Sequence, residues 1–288
     1  VQTKRDELVI DIDRERLIDL MRQYFDPGVD DNQMATICAR ALQKTAAFDP
    51  KSTRQYLQTR GFREEYVVPH AYRPLDIRWL YWEPETNLLE RKVPQYLPHA
   101  LSGSPSIVTQ RKPRRAWSVP QVISMPGCLD LMDRSASIFP LYLRPDAPAD
   151  ESGNGDLFAQ PLDDDPLLAP NGLRYNLTDR AVAYLETVGD VHDAPALFHH
   201  VIAVLHAPAY RHENAGALRQ DWPRVPLPST REALIASAEL GLELAALLDP
   251  EREVPGVTTG TIRLEHRGIG VIRRRDGGQV RPDLGELE

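Results

Sequence analysis

Cysteine is nearly absent from these 288 residues. Cys38 and Cys128 are the only two, and they lie far apart. A disulfide framework and a cysteine-rich zinc site are both excluded, and a reducing, cytoplasmic compartment fits. No apolar run approaches the roughly 18–20 residues of a membrane span, so no membrane contact is expected. The opening stretch VQTKRDELVIDID carries acids inside its short apolar run, unlike a secretory signal. Beginning at Val1 rather than Met, the chain reads as a fragment or a processed product. Nucleotide and catalytic signatures are missing too. There is no GxxxxGK[ST] phosphate loop and no HExxH. Gly268-Ile269-Gly270 lacks the third glycine and the helix of a dinucleotide fingerprint. No NPPY- or DPPY-type tetrad is present to hold a flipped base for methyl transfer, and no serine sits on a recognisable elbow.

Charge is present but segregated. The net value of −8 by itself argues against a nucleic-acid partner. Seven acids and no base fall between Asp146 and Pro170, and that stretch alone accounts for nearly all of the excess. From Arg91 to Leu129 there are six bases (Arg91, Lys92, Arg111, Lys112, Arg114, Arg115) and no acid. From Arg263 to Arg281 six bases face two acids, Glu265 and Asp276. Local segregation, not the total, sets the field that a partner meets.

The apolar content of 42 % suffices for a real core. Residues 1–64 read as a helical connector. Asp13 can cap a helix carrying Leu17, Ile18, Leu20, Met21 and Tyr24, and Pro27-Gly28 stops it. Asp31 opens a second helix and Ser52 a third, with Gly61 at its end. Residues 65–288 read as a second, α+β domain. The runs 66–68, 77–82, 106–109, 116–124 and 137–143 are rich in β-branched and aromatic residues and broken by prolines. They predict a mixed or antiparallel sheet with long loops. Residues 143–172 read as an acidic, mobile loop. Thr178 can cap a following helix, and a stripe of Leu197, Phe198, Val201, Ile202 and Leu205 docks the next one on a core. Ser229-Thr230-Arg231-Glu232 reads as a capping box for a helix to about Leu248. Gly268 and Asp276-Gly277-Gly278 mark turns of a terminal β-hairpin.

Three chemistries can be weighed. Asp76, Glu90 and Lys92 stand in the D…ExK order of metal-dependent nucleases, where carboxylates hold Mg²⁺ and the lysine aids the water. An Asp76 ion pair with a neighbouring arginine is the simpler account. His192, His199, His200 and His206 cluster in sequence. His199 and His206 lie about 10.5 Å apart along a helix axis, too far for one zinc with bonds of about 2 Å. Solvent- or DNA-facing histidines are the expectation. Binding is the third chemistry. Gln110-Arg111-Lys112-Pro113-Arg114-Arg115-Ala116-Trp117 places four cations and an indole in one loop. Arginine reads guanine bidentately and lysine neutralises phosphate. Arg273, Arg274 and Arg275 form a second basic run. Tyr72, Trp79, Tyr81 and Trp82 alternate with Arg73 and Arg78, and most of those rings belong to a core. A protein-interaction module, docking a partner on the acidic loop, is the remaining class.

The run Tyr72-Arg73-Pro74-Leu75-Asp76-Ile77-Arg78-Trp79-Leu80-Tyr81-Trp82 resembles the opening of the specificity region of type ISP and related single-chain restriction–modification enzymes. LLERKVPQYLPHAL at 88–101 and SASIFPLYLRP at 135–145 continue the resemblance. So do VIAVLHAPAYRHENAGALRQDWPRVPLP at 201–228, the helical run REALIASAELGLELAALL after it, and ELVIDIDRERLIDLMRQYFDPGVDD near the start. The resemblance implies a target-recognition part that binds double-stranded DNA. It implies a parent enzyme with an S-adenosylmethionine-dependent adenine-N6 methyltransferase in the same polypeptide, and a nuclease. S-adenosylmethionine and Mg²⁺ belong to that parent, and none of its catalytic residues carries over to this chain. Arg73, Arg78 and Arg211 match family positions.

Overall fold

The computed structural model describes residues 1–101, 103–114, 116–132, 136–145, 165–249, 252, 253 and 255, together with the backbone of 272–275 and 279–282. Most of the acidic 143–172 segment, and Arg115, lie outside the described residues. The architecture is α+β: small antiparallel sheets and a set of helices.

The chain opens with a short helix α1 (Asp6–Val9) and a two-residue strand β1 (Ile10–Asp11). Helix α2 (Arg14–Phe25) is capped by the Asp13 carboxylate, which accepts from the Glu15 and Arg16 amides. Helix α3 (Asp31–Ile37) opens at Asp31 as expected, and its cap is the residue before, Asp30. Asp30 accepts from the Gln33 amide and Gln33 returns a bond to the Asp30 amide, a reciprocal box that Asp31 is not placed to make. Helix α4 (Pro50–Arg60) is likewise capped by Asp49 rather than Ser52, because Pro50 fits the first helical position. Gly61 closes it at φ +84°.

Strands β2 (Val67–Arg73) and β3 (Asp76–Tyr81) form a hairpin with a register shift between Ala71 and Arg73. β3 is the middle strand, and β1 pairs on its other side through Ile10↔Leu80 and Asp11↔Trp79. One core therefore runs across residue 64: Leu17, Ile18, Met21, Tyr24 and Phe25 of α2 join Leu57, Val67, Leu80, Tyr81 and Leu88. Phe25 and Phe62 pack on Tyr81 with ring centroids 5.5 and 5.6 Å away. An ion pair lies inside this core. Glu83 is 0 % and Arg60 7 % exposed, 2.5 Å apart, and the amides of Glu85 and Thr86 also donate to Glu83. The Thr86 hydroxyl donates to Glu83 as well, and these four donors for one carboxylate are what keep a buried charge tolerable.

After a single turn, α5 (Leu97–Ala100), a second sheet follows: β4 (Ser106–Thr109) flanked by β5 (Gln121–Ile123) and β6 (Ser137–Pro140). β7 (Tyr142–Leu143) leaves that sheet and pairs with β8 (Arg174–Tyr175). The switch falls at Leu141, whose amide donates to the Pro105 carbonyl while its own carbonyl accepts from Asn176. The two three-stranded sheets are tied together at Ala71, which exchanges backbone bonds with Pro126 and Cys128.

Helix α6 (Asp179–Val188) is capped by Thr178 as expected. Helices α7 (Ala194–His206), α8 (Pro208–Glu213), α9 (Ala215–Leu218) and α10 (Arg231–Leu248) follow. Phe198 and Ile202 of α7, with Leu244, Ala245 and Leu248 of α10, cover Ile107 of β4 and Val122 of β5. Thr230 caps α10 through the Ala233 amide. The third helical position is Ala233, so Glu232 closes no capping box there. Gly241 lets α10 approach α7 backbone to backbone: a Cβ there would stand 2.5 Å from the His199 carbonyl carbon. Residues 251–288 form a separate unit. In it, β9 (Ile272–Arg275) and β10 (Gln279–Pro282) pair as the expected terminal hairpin, with Arg275 opposite Gln279.

Candidate nucleic-acid interface

Two elements converge on one open groove of about 520 Å³: the tip of the β2–β3 hairpin and the entry to β5. Arg73 and Pro74 line it from the hairpin, Ser118, Val119 and Gln121 from the strand entry, and Asp130, Leu131 and Met132 close it. The basic segment 110–117 leads directly into that entry.

The hairpin arginines are held, not loose. The guanidinium carbons of Arg73 and Arg78 each lie 4.1 Å from the centroid of the Tyr72 ring. The Tyr72 hydroxyl donates to Asp6 at 2.8 Å. Arg78 forks onto both Asp76 oxygens at 2.9–3.1 Å. Arg73 donates to the Tyr72 carbonyl and makes no carboxylate pair among the described residues. Of the aromatic group, Tyr81 is buried and Tyr72, Trp79 and Trp82 are half-buried, in keeping with a core role.

In the loop after β4, Arg111 pairs with Asp221 at 2.9 Å and holds that carboxyl below its ordinary range. Lys112 and Arg114 are exposed, and neither makes an ion pair among the described residues. Among the described residues the Trp117 indole N–H and both amide atoms of the buried Gln110 have no hydrogen-bond partner. Trp222, next to Asp221, meets the exposed Phe139 ring edge-on at 5.5 Å. Loop, β6 and the segment after α9 thus share one surface.

Other candidates sit elsewhere. Arg91 is exposed and bridges Gln2 through its backbone. The Lys92 ammonium donates to the Pro84 carbonyl at 2.8 Å. Arg211 is half-buried in α8. Arg273, Arg274 and Arg275 make up β9.

The nuclease triplet does not assemble. Asp76 is taken by Arg78, Glu90 by Lys4 at 2.7 Å, and Lys92 by a carbonyl. Among the described residues no group of three or more His, Cys, Asp or Glu stands ready to hold a metal ion. The histidines are not an exposed cluster either. His200 is buried between the Ser237 hydroxyl and the Pro226 carbonyl, each 2.8 Å away. His199 and His206 bond carbonyls one turn back, at Pro195 and Ile202, and only His192 is exposed. An apolar helix face took them up as packing and bracing groups.

Sequence reasoning missed Leu75 at the hairpin tip, the Arg111–Asp221 tether and the Phe139–Trp222 pair. Pro74, between Arg73 and Leu75-Asp76, was a turn signal that pointed at Leu75. The other two join residues too distant in sequence for any local signal.

Hairpin tip and basic loop on an open groove define a binding scaffold built on small sheets, with no converging catalytic set among the described residues. Residues 1–267 match the family described as the type ISP C-terminal specificity domain, and the chain belongs to that family. Solved structures share the fold. A DrdV–DNA complex determined by cryo-EM is 24 % identical with a TM-score of 0.57, over 96 % of this chain and 26 % of that one. A nuclease-deletion mutant of the type ISP restriction–modification enzyme LlaGI, in complex with a DNA substrate mimic, is 16 % identical with a TM-score of 0.52, over 86 % and 21 %. The ATP-dependent type ISP restriction–modification enzyme LlaBIII, bound to DNA, is 16 % identical with a TM-score of 0.56, over 88 % and 15 %. This chain spans about a quarter or less of each of those chains. No curated protein matches it. No helix of the described residues is long and apolar enough to cross a membrane.

Proposed function

We propose that this chain is the part of a restriction–modification enzyme that recognises a double-stranded DNA target. Family membership over residues 1–267 is the observation that carries this reading. The geometry supports it. A recognition module needs a stiff scaffold, elements that reach base edges, and cations for phosphate. The α7–α10 pair stiffens β4 and β5 from behind. The hairpin tip and the loop 110–117 supply reach, and Lys112 and Arg114 supply exposed positive charge. The Arg111–Asp221 pair is exposed on both sides, so a phosphate competes for that guanidinium at little cost. Arg115, Arg91, Lys92, Arg211 and Arg273–Arg275 are further candidates for backbone contact. The adenine-N6 methyltransferase, its S-adenosylmethionine and the Mg²⁺-dependent nuclease belong to the rest of such an enzyme. Among the described residues no three or more His, Cys, Asp or Glu gather to hold that ion.

The test is selection from a randomised duplex library by the full chain, followed by titration at several salt concentrations. Enrichment of one sequence, bound with a falling log K against log salt, is expected. A library that emerges unenriched, with no salt-dependent binding, overturns the proposal.

A further inference from the structure

We propose that Leu75 is a wedge that enters the base stack of the bound duplex. This deepens the DNA reading above and rests on it. Leu75 is 63 % exposed, the most exposed large apolar side chain among the described residues. It occupies the two-residue connection of the β2–β3 hairpin, between Arg73 and Asp76, which pair across the strands. Its φ is +60°. Pro74 followed by a residue of positive φ is the pattern of a type II turn, whose second central place ordinarily takes Gly or Asn. Leucine is a poor choice there twice over: its Cβ crowds the left-handed backbone, and its isobutyl group stands in water. Strain held at an exposed site points to use.

The surroundings fit one use. Behind the tip stand the guanidiniums of Arg73 and Arg78, fixed on the Tyr72 ring and, for Arg78, on Asp76. Ala71 anchors the stalk to the second sheet through Pro126 and Cys128. The tip is therefore a stiff apolar point backed by cations. Proteins that kink DNA insert such apolar side chains between base steps while cations hold the flanking backbone. The groove beside Arg73 and Pro74 is open, and its far wall is the end of a stretch with no acid from 91 to 129. Among the described residues Asp130 is the one carboxylate lining it. That charge balance favours a polyanion over an acidic protein face as the occupant.

The test uses the full chain and the duplex that the wild type selects from the randomised library, with 2-aminopurine walked through each position. Wild type should raise the emission at one base step, the mark of lost stacking. Leu75→Ala and Leu75→Gly should abolish the rise and weaken binding to that duplex about tenfold. The slope of log K on log salt should stay unchanged, because no cation is removed. Leu75→Gly should melt at or above the wild-type temperature, since glycine takes φ +60° without strain, so a lost rise is not lost folding. A wild type that binds the selected duplex with no rise anywhere overturns the wedge and leaves DNA recognition standing. So does a Leu75→Gly chain that behaves as wild type on DNA, which would instead place the tip against protein. Failure to select any duplex overturns both.

Discussion

Replacing Gly241 by alanine should destabilise the chain, although alanine is the better helix former. The residue lies inside α10, where the exchange gains about 1 kcal/mol in helix propensity. Against this stands the α7 backbone. The new Cβ would be 2.5 Å from the His199 carbonyl carbon and closer still to its oxygen. Ordinary contact needs about 3.5 Å, so the helices must part by about 1 Å or more. The obstacle is backbone and cannot rotate away. Overpacking of this kind costs about 1–3 kcal/mol, and a backbone clash belongs at the top of that range. The net loss should be about 2 kcal/mol, the ~3 of the clash less the ~1 of propensity. For a unit of this size that lowers Tm by about 4–8 °C. Circular-dichroism melts and urea titrations of the variant measure both. Gly216→Ala in α9 is the control: nothing lies within 4 Å of its added Cβ, and it should gain up to about 1 kcal/mol. A Gly241→Ala chain that melts at or above wild type would refute the reasoning, because steric cost would then be smaller than propensity.

Removing Glu83 leaves Arg60 with one carboxylate, the half-exposed Glu85 at 3.3 Å, and the Tyr81 hydroxyl, so Glu83→Ala should cost about 3 kcal/mol in urea denaturation. Burial pushes the His70 imidazole down to about 3, and its ring meets the Pro126 carbonyl through Nδ1 while Nε2 is buried with no partner among the described residues. The folded state thus refuses a proton that the unfolded chain accepts near pH 6.5. Stability should be full above that value and fall by about 1.4 kcal/mol per pH unit below it, down toward pH 3. His70→Leu should flatten that limb of the curve, and unchanged acid sensitivity would show that other groups set it. Lys112→Ala with Arg114→Ala should weaken duplex binding and reduce the salt slope by about 0.9 per lost phosphate contact. An unchanged slope would make the loop a solvated turn.

Much of the scaffold was legible because it is local. Asp13 and Thr178 announced their helices by side-chain chemistry that acts within three residues. Alternating aromatic and β-branched residues announced β2, β3 and β4. The core was less legible than its pieces. Helical texture ends near residue 64, yet β1 bonds to β3 across that point, and two residues of strand are too few to read. The interface was legible in part. Unbroken positive charge singled out the loop 110–117, but charge alone does not show that Arg111 is tethered to Asp221. The histidines were expected to face solvent or DNA, yet His199, His200 and His206 turn to Pro195, Ser237 and Ile202, because the helix that carries them packs on a core.

The switch at Leu141 bears on how such small sheets hold together. Two- and three-stranded sheets are marginal on their own. Here one extended run, 137–143, serves as β6 in one sheet and β7 in the next. Fraying of β8 therefore slackens the same stretch of chain that sets the register of β4, and β4 in turn sets where the basic loop begins. Cooperativity comes from a shared thread rather than from the breadth of any sheet. This thread keeps the feet of the loops in register.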